Sequence, residues 1–290
     1  MEFSNTDSFI QVDFLLQSKT AEQLYFQYAE AMPIIDYHNH LPPDVIAKNK
    51  PFRDINSVWL DGDHYKWRAM RTLGVKEKFI TGDASSKDKF DQWAKTVPYT
   101  IGNPLFHWTH IELKRYFNIN TQLQPSTSDA VFEETNHQLK TLLPSQMLKN
   151  MKVEMLCTTD DPVDDLKYHQ QIKKNNIGPK VLPGFRPDKI FGINTVDYLD
   201  YLNTLSYSSG VSINSLQTLL DALKSRITYF HKNGCRISDH GLEYTYASDF
   251  TLQAVDSSLK KRISGETISK EEALAFNSCV LFELFVMYHE

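Results

Sequence analysis

The chain has 290 residues, 41% of them hydrophobic and 23% charged, the proportions of an ordinary water-soluble globular protein. A net charge of −5 and a pI near 6.1 give no broad positive field, which excludes general binding to nucleic acid or to anionic membrane. No run of roughly eighteen apolar residues occurs, and the best candidate, 279–287, carries Glu283, so no membrane span is expected.

The first residues lack the basic-then-apolar pattern of a secretory signal. Residues 18–31 read as a helix leading into a first strand over 34–40. That strand carries Asp36-Tyr37-His38-Asn39-His40. In a strand, side chains at i and i+2 share a face, so His38 and His40 are expected to project together. Two converging neutral imidazoles make half of a metal site, to be completed by carboxylate, histidine or water. The competing reading is one inward-packed histidine and one that caps a turn.

Residues 42–150 show almost no alternation and contain Pro42, Pro43, Pro98, Pro104, Pro125 and Pro144. A structureless loop of that length is implausible in a compact domain, so an all-helical insertion is expected. From 151 the rhythm changes. Residues 152–158 form a strand, 163–175 a helix that stops at Asn176-Ile177-Gly178-Pro179, and 180–185 a second strand. Such a βαβ unit implies parallel pairing. Leucines at 216, 219, 220 and 223 mark a helix over 214–232, residues 235–239 a further strand, and Ser269 with Glu272 a capping box for a final helix to about 289. That helix is apolar nearly all round and is expected to be buried. The three cysteines, Cys157, Cys235 and Cys279, are far apart with no CxxC, as for reduced thiols in a cytoplasmic protein. The alternation predicts an α/β fold, either a barrel or a doubly wound sheet. Residues 1–41 would form an N-terminal arm and first strand, 42–150 the insertion, and 151–290 successive βα units.

Residues 63–71 are the second dense stretch. On a helix His64, Arg68 and Arg71 share one face, which suits an anionic small molecule, although a solvated basic face has the same pattern. Tyr65 beside His64 adds a second group able to exchange a proton. Arg186 follows a strand, where barrel active sites lie, and a surface pair with Asp188 is the plain alternative. His240 ends another strand as a third ligand, a proton carrier or a turn residue. Asp160, Asp161, Asp164 and Asp165 read mainly as capping groups. His107 and His110 read as packed helix residues. No dinucleotide, P-loop or serine-hydrolase motif is present.

Together DYHNHL (36–41), DHYKWRAMR (63–71), GNPLFHWTHIEL (102–113), CTTDDPVDDLKYH (157–169), FRPDK (185–189) and SDHG (238–241) resemble, in order, the motifs of the uronate isomerases (glucuronate isomerases) of the amidohydrolase superfamily. The resemblance implies a distorted (βα)8 TIM-type barrel with a helical insertion after strand 1. The implied reaction is reversible isomerisation of D-glucuronate to D-fructuronate and of D-galacturonate to D-tagaturonate, through a cis-enediol. It further implies a divalent metal, commonly zinc, on His38 and His40, and substrate contacts from His64, Tyr65 and Arg186. Tyr65, or water at the metal, would carry the proton with His64 assisting, while Arg186 and Arg68 would hold the C6 carboxylate.

Members of that family run well beyond 290 residues. They complete the metal site with an Asp, closely followed by an Arg, on the last strand, and no segment here takes that place. Only four strands are evident where a barrel needs about eight. The chain is therefore expected to be the N-terminal portion of a family member, an incomplete barrel with weak turnover by itself. A metal-dependent hydrolase on the same barrel and a non-catalytic sugar-acid-binding module are the alternatives. The expected partner is a hexuronate, with a homo-oligomer left open.

Overall fold

A computed structural model describes residues 8–290. Its sheet has three strands among the described residues, β1 (Ile34–Asp36), β2 (Val153–Asp160) and β3 (Lys180–Phe185), in the order β1-β2-β3. β2 and β3 run parallel, in register from Met155 opposite Lys180 to Asp160 opposite Phe185. The helix Lys167–Asn175 makes the crossover. It closes at Asn176 in the left-handed conformation (φ 52°), so the breaker cluster acts as its spacing predicts.

Two compact units can be distinguished. The first comprises the described residues up to Ile34 together with Lys48–Val153. All its regular structure between residues 42 and 150 is helical. Local chemistry sets the helix starts. Asp54 and Ser57 form a capping box for Ile55–Trp59, Ser85 caps Ser86–Thr96, and Asn103 caps Pro104–Phe117, whose proline sits where no N–H is needed. Trp59, Met70, Phe90, Trp93 and Leu113 form its core.

The second unit comprises Ile35–Ala47 and Glu154–Glu290. Phe185, the last residue of β3, packs edge-on to Phe230 of the helix Leu216–Lys232, and Phe276, Val280 and Leu284 of the final helix continue the same core. Arg226 is buried and donates to the carbonyl oxygens of Pro162, Asp164 and Ser208, so one guanidinium holds the loop that follows β2. The three cysteines are buried and free. No helix among the described residues is long and apolar enough to cross a membrane.

Four elements depart from expectation. β1 stops at Asp36 and does not reach His40. Asn39 is the reason: its side chain donates to Asp36 Oδ2 (2.5 Å) and accepts from the Leu41 N–H (2.6 Å), an Asx-type turn that takes the chain off the sheet. Residues 235–239 supply one parallel bridge, Ser238 to Phe185, and no regular strand. The helix after β2 begins at Lys167, because Pro162 and an aspartate-rich turn precede it. The final helix, Lys270–His289, has the expected Ser269–Glu272 capping box but exposes Phe282, Phe285 and Val286. The helices Tyr198–Ser209 and Leu252–Ile263 carry no strong sequence signal beyond Gly210 and the Thr251 cap.

Candidate active site

His38 and His40 lie just past β1, and their Nε2 atoms are 3.0 Å apart. The convergence expected of a strand is thus produced by the turn at Asn39. Behind His38 stands Asp239, its Oδ2 atom 3.2 Å from His38 Nδ1. The same oxygen accepts from Arg186 Nη1 at 3.1 Å, and Arg186 Nε donates to Asp188 Oδ2 at 2.6 Å. Asp188 in turn accepts from the Gly241 N–H (3.0 Å). A Cβ at position 241 would press on the Arg186 guanidinium and the Asp188 carboxylate, so a side chain there would displace this pair.

This cluster exists because β3 meets residues 237–239. Phe185 N–H donates to Ile237 O (3.1 Å) and Asp239 N–H to Phe185 O (3.0 Å), so Asp239 is fixed by the pairing itself and Arg186 follows directly after it. The sequence reading missed Asp239 altogether. The Arg186–Asp188 surface pair given as the plain alternative does form, but Arg186 also reaches the histidine cluster.

The end of β2 ties these pieces together. Thr159 Oγ1 donates to the carbonyl of Asn39, the residue between the two histidines, at 2.9 Å. Asp160 O accepts from the Arg186 N–H at 2.9 Å. The Asp160 side chain is buried, accepting from Thr158 Oγ1 (2.6 Å) and the Gly184 N–H (3.2 Å), and desolvation pushes its carboxyl up to about 6. Thr158 Oγ1 lies 2.7 Å from His169 Nε2, and burial pushes that imidazole down to about 4. Asp160 therefore belongs to the buried end of β2 and does not cap the next helix. Asp161, Asp164 and Asp165 do organise the turn: Asp164 accepts from Asp161 N–H and Asp165 from Lys167 N–H. A cavity of about 580 Å³ opens here, lined by His40, Pro42, Thr159, Asp160, Asp164 and His169.

A tetrahedral zinc ion with nitrogen ligands at about 2.0–2.1 Å holds two such nitrogens about 3.3–3.4 Å apart. His38 and His40 come within a few tenths of an ångström of that bite, so the pair fits a divalent metal as two of its ligands. Among the described residues no group of three or more His, Cys, Asp or Glu side chains is arranged to hold an ion.

His64, Tyr65 and Arg68 lie in the first unit, on the helix His64–Thr72. Asp63 caps that helix by accepting from the Tyr65 and Lys66 N–H groups. The His64 and Tyr65 rings lie 4.3 Å apart. Tyr65 and Arg68 border a cavity of about 480 Å³ with Tyr99, Pro104 and Trp108. Arg68 is exposed and forms no ion pair among the described residues, whereas Arg71 makes two parallel hydrogen bonds to Glu77. The structure thus brings His38, His40 and Arg186 together in one unit and His64, Tyr65 and Arg68 in the other.

Two further histidines are held in packed surroundings. His110 is buried: its Nε2 accepts from Leu123 N–H, so Nδ1 must donate to Phe106 O, a structural role. His240 packs among Phe191, Phe285 and Tyr288, with Nε2 3.2 Å from the Tyr288 hydroxyl, and burial lowers its pKa.

The chain is similar to uronate isomerase of Flavobacterium johnsoniae, 48% identical over 288 residues, covering 99% of this chain and 62% of that protein. It is 46% identical to uronate isomerase of Shouchella clausii, over 99% of this chain and 61% of the relative. The chain thus spans about three fifths of the length of these curated relatives. The crystal structure of uronate isomerase from Thermotoga maritima superposes with a TM-score of 0.92 at 34% identity, covering 97% of this chain and 62% of that one. Glucuronate isomerase from Caulobacter crescentus shares the fold, with a TM-score of 0.86 at 24% identity over 93% of this chain and 59% of that one. The glucuronate isomerase family model matches residues 6–290, and the chain belongs to that family.

Proposed function

We propose that these residues form part of the site of a metal-dependent hexuronate isomerase. It would interconvert D-glucuronate with D-fructuronate, and D-galacturonate with D-tagaturonate, on a distorted (βα)8 barrel of which the three strands are a portion. The observation that carries this reading is the convergence of His38 and His40 Nε2, joined through Asp239 to Arg186. His38 and His40 would hold a divalent ion, zinc by donor type. When bound, that ion supplies Lewis-acid stabilisation of the developing enediolate.

The protein's own groups do the rest. Arg186 presents planar donors to the sugar-acid carboxylate, and Arg68 offers a second cation. Moving hydrogen between C1 and C2 of the open-chain sugar needs a group that takes a proton and returns it. Tyr65, ring to ring with His64, is the candidate for that exchange. Reduced, buried cysteines support a cytoplasmic setting.

Calorimetry of D-glucuronate binding to the 290-residue chain tests the proposal, with zinc present or chelated and in His38→Ala. Zinc-dependent binding that His38→Ala abolishes is expected. Binding indifferent to both zinc and His38 would sink the metal reading. Ester or amide hydrolysis in place of isomerisation would point to a hydrolase.

A further inference from the structure

We infer that Asp239 is the positioning residue of the metal-ligand pair, holding His38 in the tautomer whose Nε2 lone pair is free for an ion. The inference rests on the metal reading above and adds a residue to it. An imidazole that binds through Nε2 must carry its proton on Nδ1, and the group that accepts that proton decides the tautomer. His38 Nδ1 faces Asp239 Oδ2 at 3.2 Å, and an ionised carboxylate can only accept. The proton therefore sits on His38 Nδ1, and His38 Nε2 is an acceptor. At 3.0 Å, His40 Nε2 must then donate to it. His38 Nε2 and His40 Nε2 would hold an ion once that single proton is given up, and His38 would need no change of tautomer to do so.

Asp239 is suited to this because it is not a mobile surface group. Its N–H is tied to Phe185 O, and its Oδ2 accepts from Arg186 Nη1 at 3.1 Å. Arg186 is itself anchored by Asp188, and Asp188 by the Gly241 N–H. The aspartate of SDHG thereby sets both the direction of the His38 ring and the position of the carboxylate-binding arginine. One oxygen serves both tasks.

Two measurements on the 290-residue chain test this. Long-range ¹H–¹⁵N spectra of the imidazoles, with His38 assigned through His38→Gln, read the tautomer without metal. Cobalt(II) titration followed by its visible absorption reads affinity. Wild type should show the Nδ1–H tautomer at His38. Asp239→Asn, whose carboxamide N–H₂ can donate to Nδ1, should move the proton to Nε2. It should also weaken cobalt binding about ten- to a hundredfold, with circular dichroism and Tm near wild type. An Nε2–H tautomer in wild type overturns the inference. So does an Asp239→Asn chain that keeps both tautomer and affinity. The wild-type spectrum decides the matter even where the variant fails to fold. An Nδ1–H tautomer in a chain that binds no cobalt through His38 or His40 would refute the metal reading and leave the Asp239–His38 assignment standing.

Discussion

Asp160 and Gly184 are joined across the ends of β2 and β3: the buried Asp160 Oδ2 accepts the glycine N–H at 3.2 Å, in a place where only a residue without a side chain fits. A Cβ on Gly184 would lie 2.5 Å from Thr158 O, which is backbone and cannot step aside. Gly184→Ala should therefore push β3 away from β2 and destabilise the chain by about 1–3 kcal/mol, as overpacking does. Urea unfolding measures it, and an unchanged midpoint would show that the strands are not held at this spacing.

The buried neighbours Asp160 and His169 pull stability in opposite directions with pH. Asp160 rises from 3.8 to about 6 on folding, so the folded state binds the extra proton and stability falls as pH climbs through that window. His169 drops from 6.5 to about 4, so the unfolded state binds more protons and stability rises over nearly the same window. Each contribution is on the order of 3 kcal/mol at most. The wild-type profile between pH 4 and 6.5 should be nearly flat. Asp160→Asn should unmask a stability that increases with pH, and His169→Gln one that decreases. Parallel profiles for the two variants would disprove the pairing.

Thr159 is expected to matter more for metal than for folding. Its hydroxyl holds the carbonyl between the two histidines at 2.9 Å. Thr159→Val keeps the shape and removes the donor, and cobalt affinity should drop about tenfold, the scale seen when groups behind metal ligands are lost. Thr159→Ser should restore it. Equal affinities in all three chains would reduce this bond to packing.

Arg68 and Arg71 share a helix face in sequence but differ in their partners. Arg71 is committed to exposed Glu77, a kind of pair worth little to stability. Arg68→Ala should weaken glucuronate binding about tenfold or more, the worth of a charge-assisted hydrogen bond. Arg71→Ala should leave it unchanged. Calorimetry distinguishes the two, and the reverse ranking would reassign the carboxylate contact.

His38, His40 and Arg186 could be singled out as candidates in the sequence because the His-x-His spacing and a position after a strand are local properties, although a turn and not the strand brings the two histidines together. The boundaries at Asn176 and Ser269 were legible for the same reason. Asp239 was not, since its importance arises only where β3 meets residues 237–239, some fifty positions away in the chain. Asp160 was misread as a cap because Asp160-Asp161-Pro162 looks like a turn. Only burial separates its first carboxylate from its second. β1 was drawn too long because apolar periodicity cannot register the Asx turn at Asn39, and the final helix looked fully buried because composition does not say how many of its sides have neighbours.

The tether on Arg186 has a consequence for ligand capture. Its guanidinium is already engaged by two resident carboxylates, Asp188 and Asp239, so the sugar acid of the proposed function would not meet a naked cation. Both carboxylates stay in place, so a ligand carboxylate bound as proposed would have to share the guanidinium with them and would add its charge to theirs. Sharing of that kind would favour a ligand that reproduces carboxylate geometry over one that merely carries charge. Discrimination against chloride and other simple anions would then follow from the resting arrangement of these three side chains.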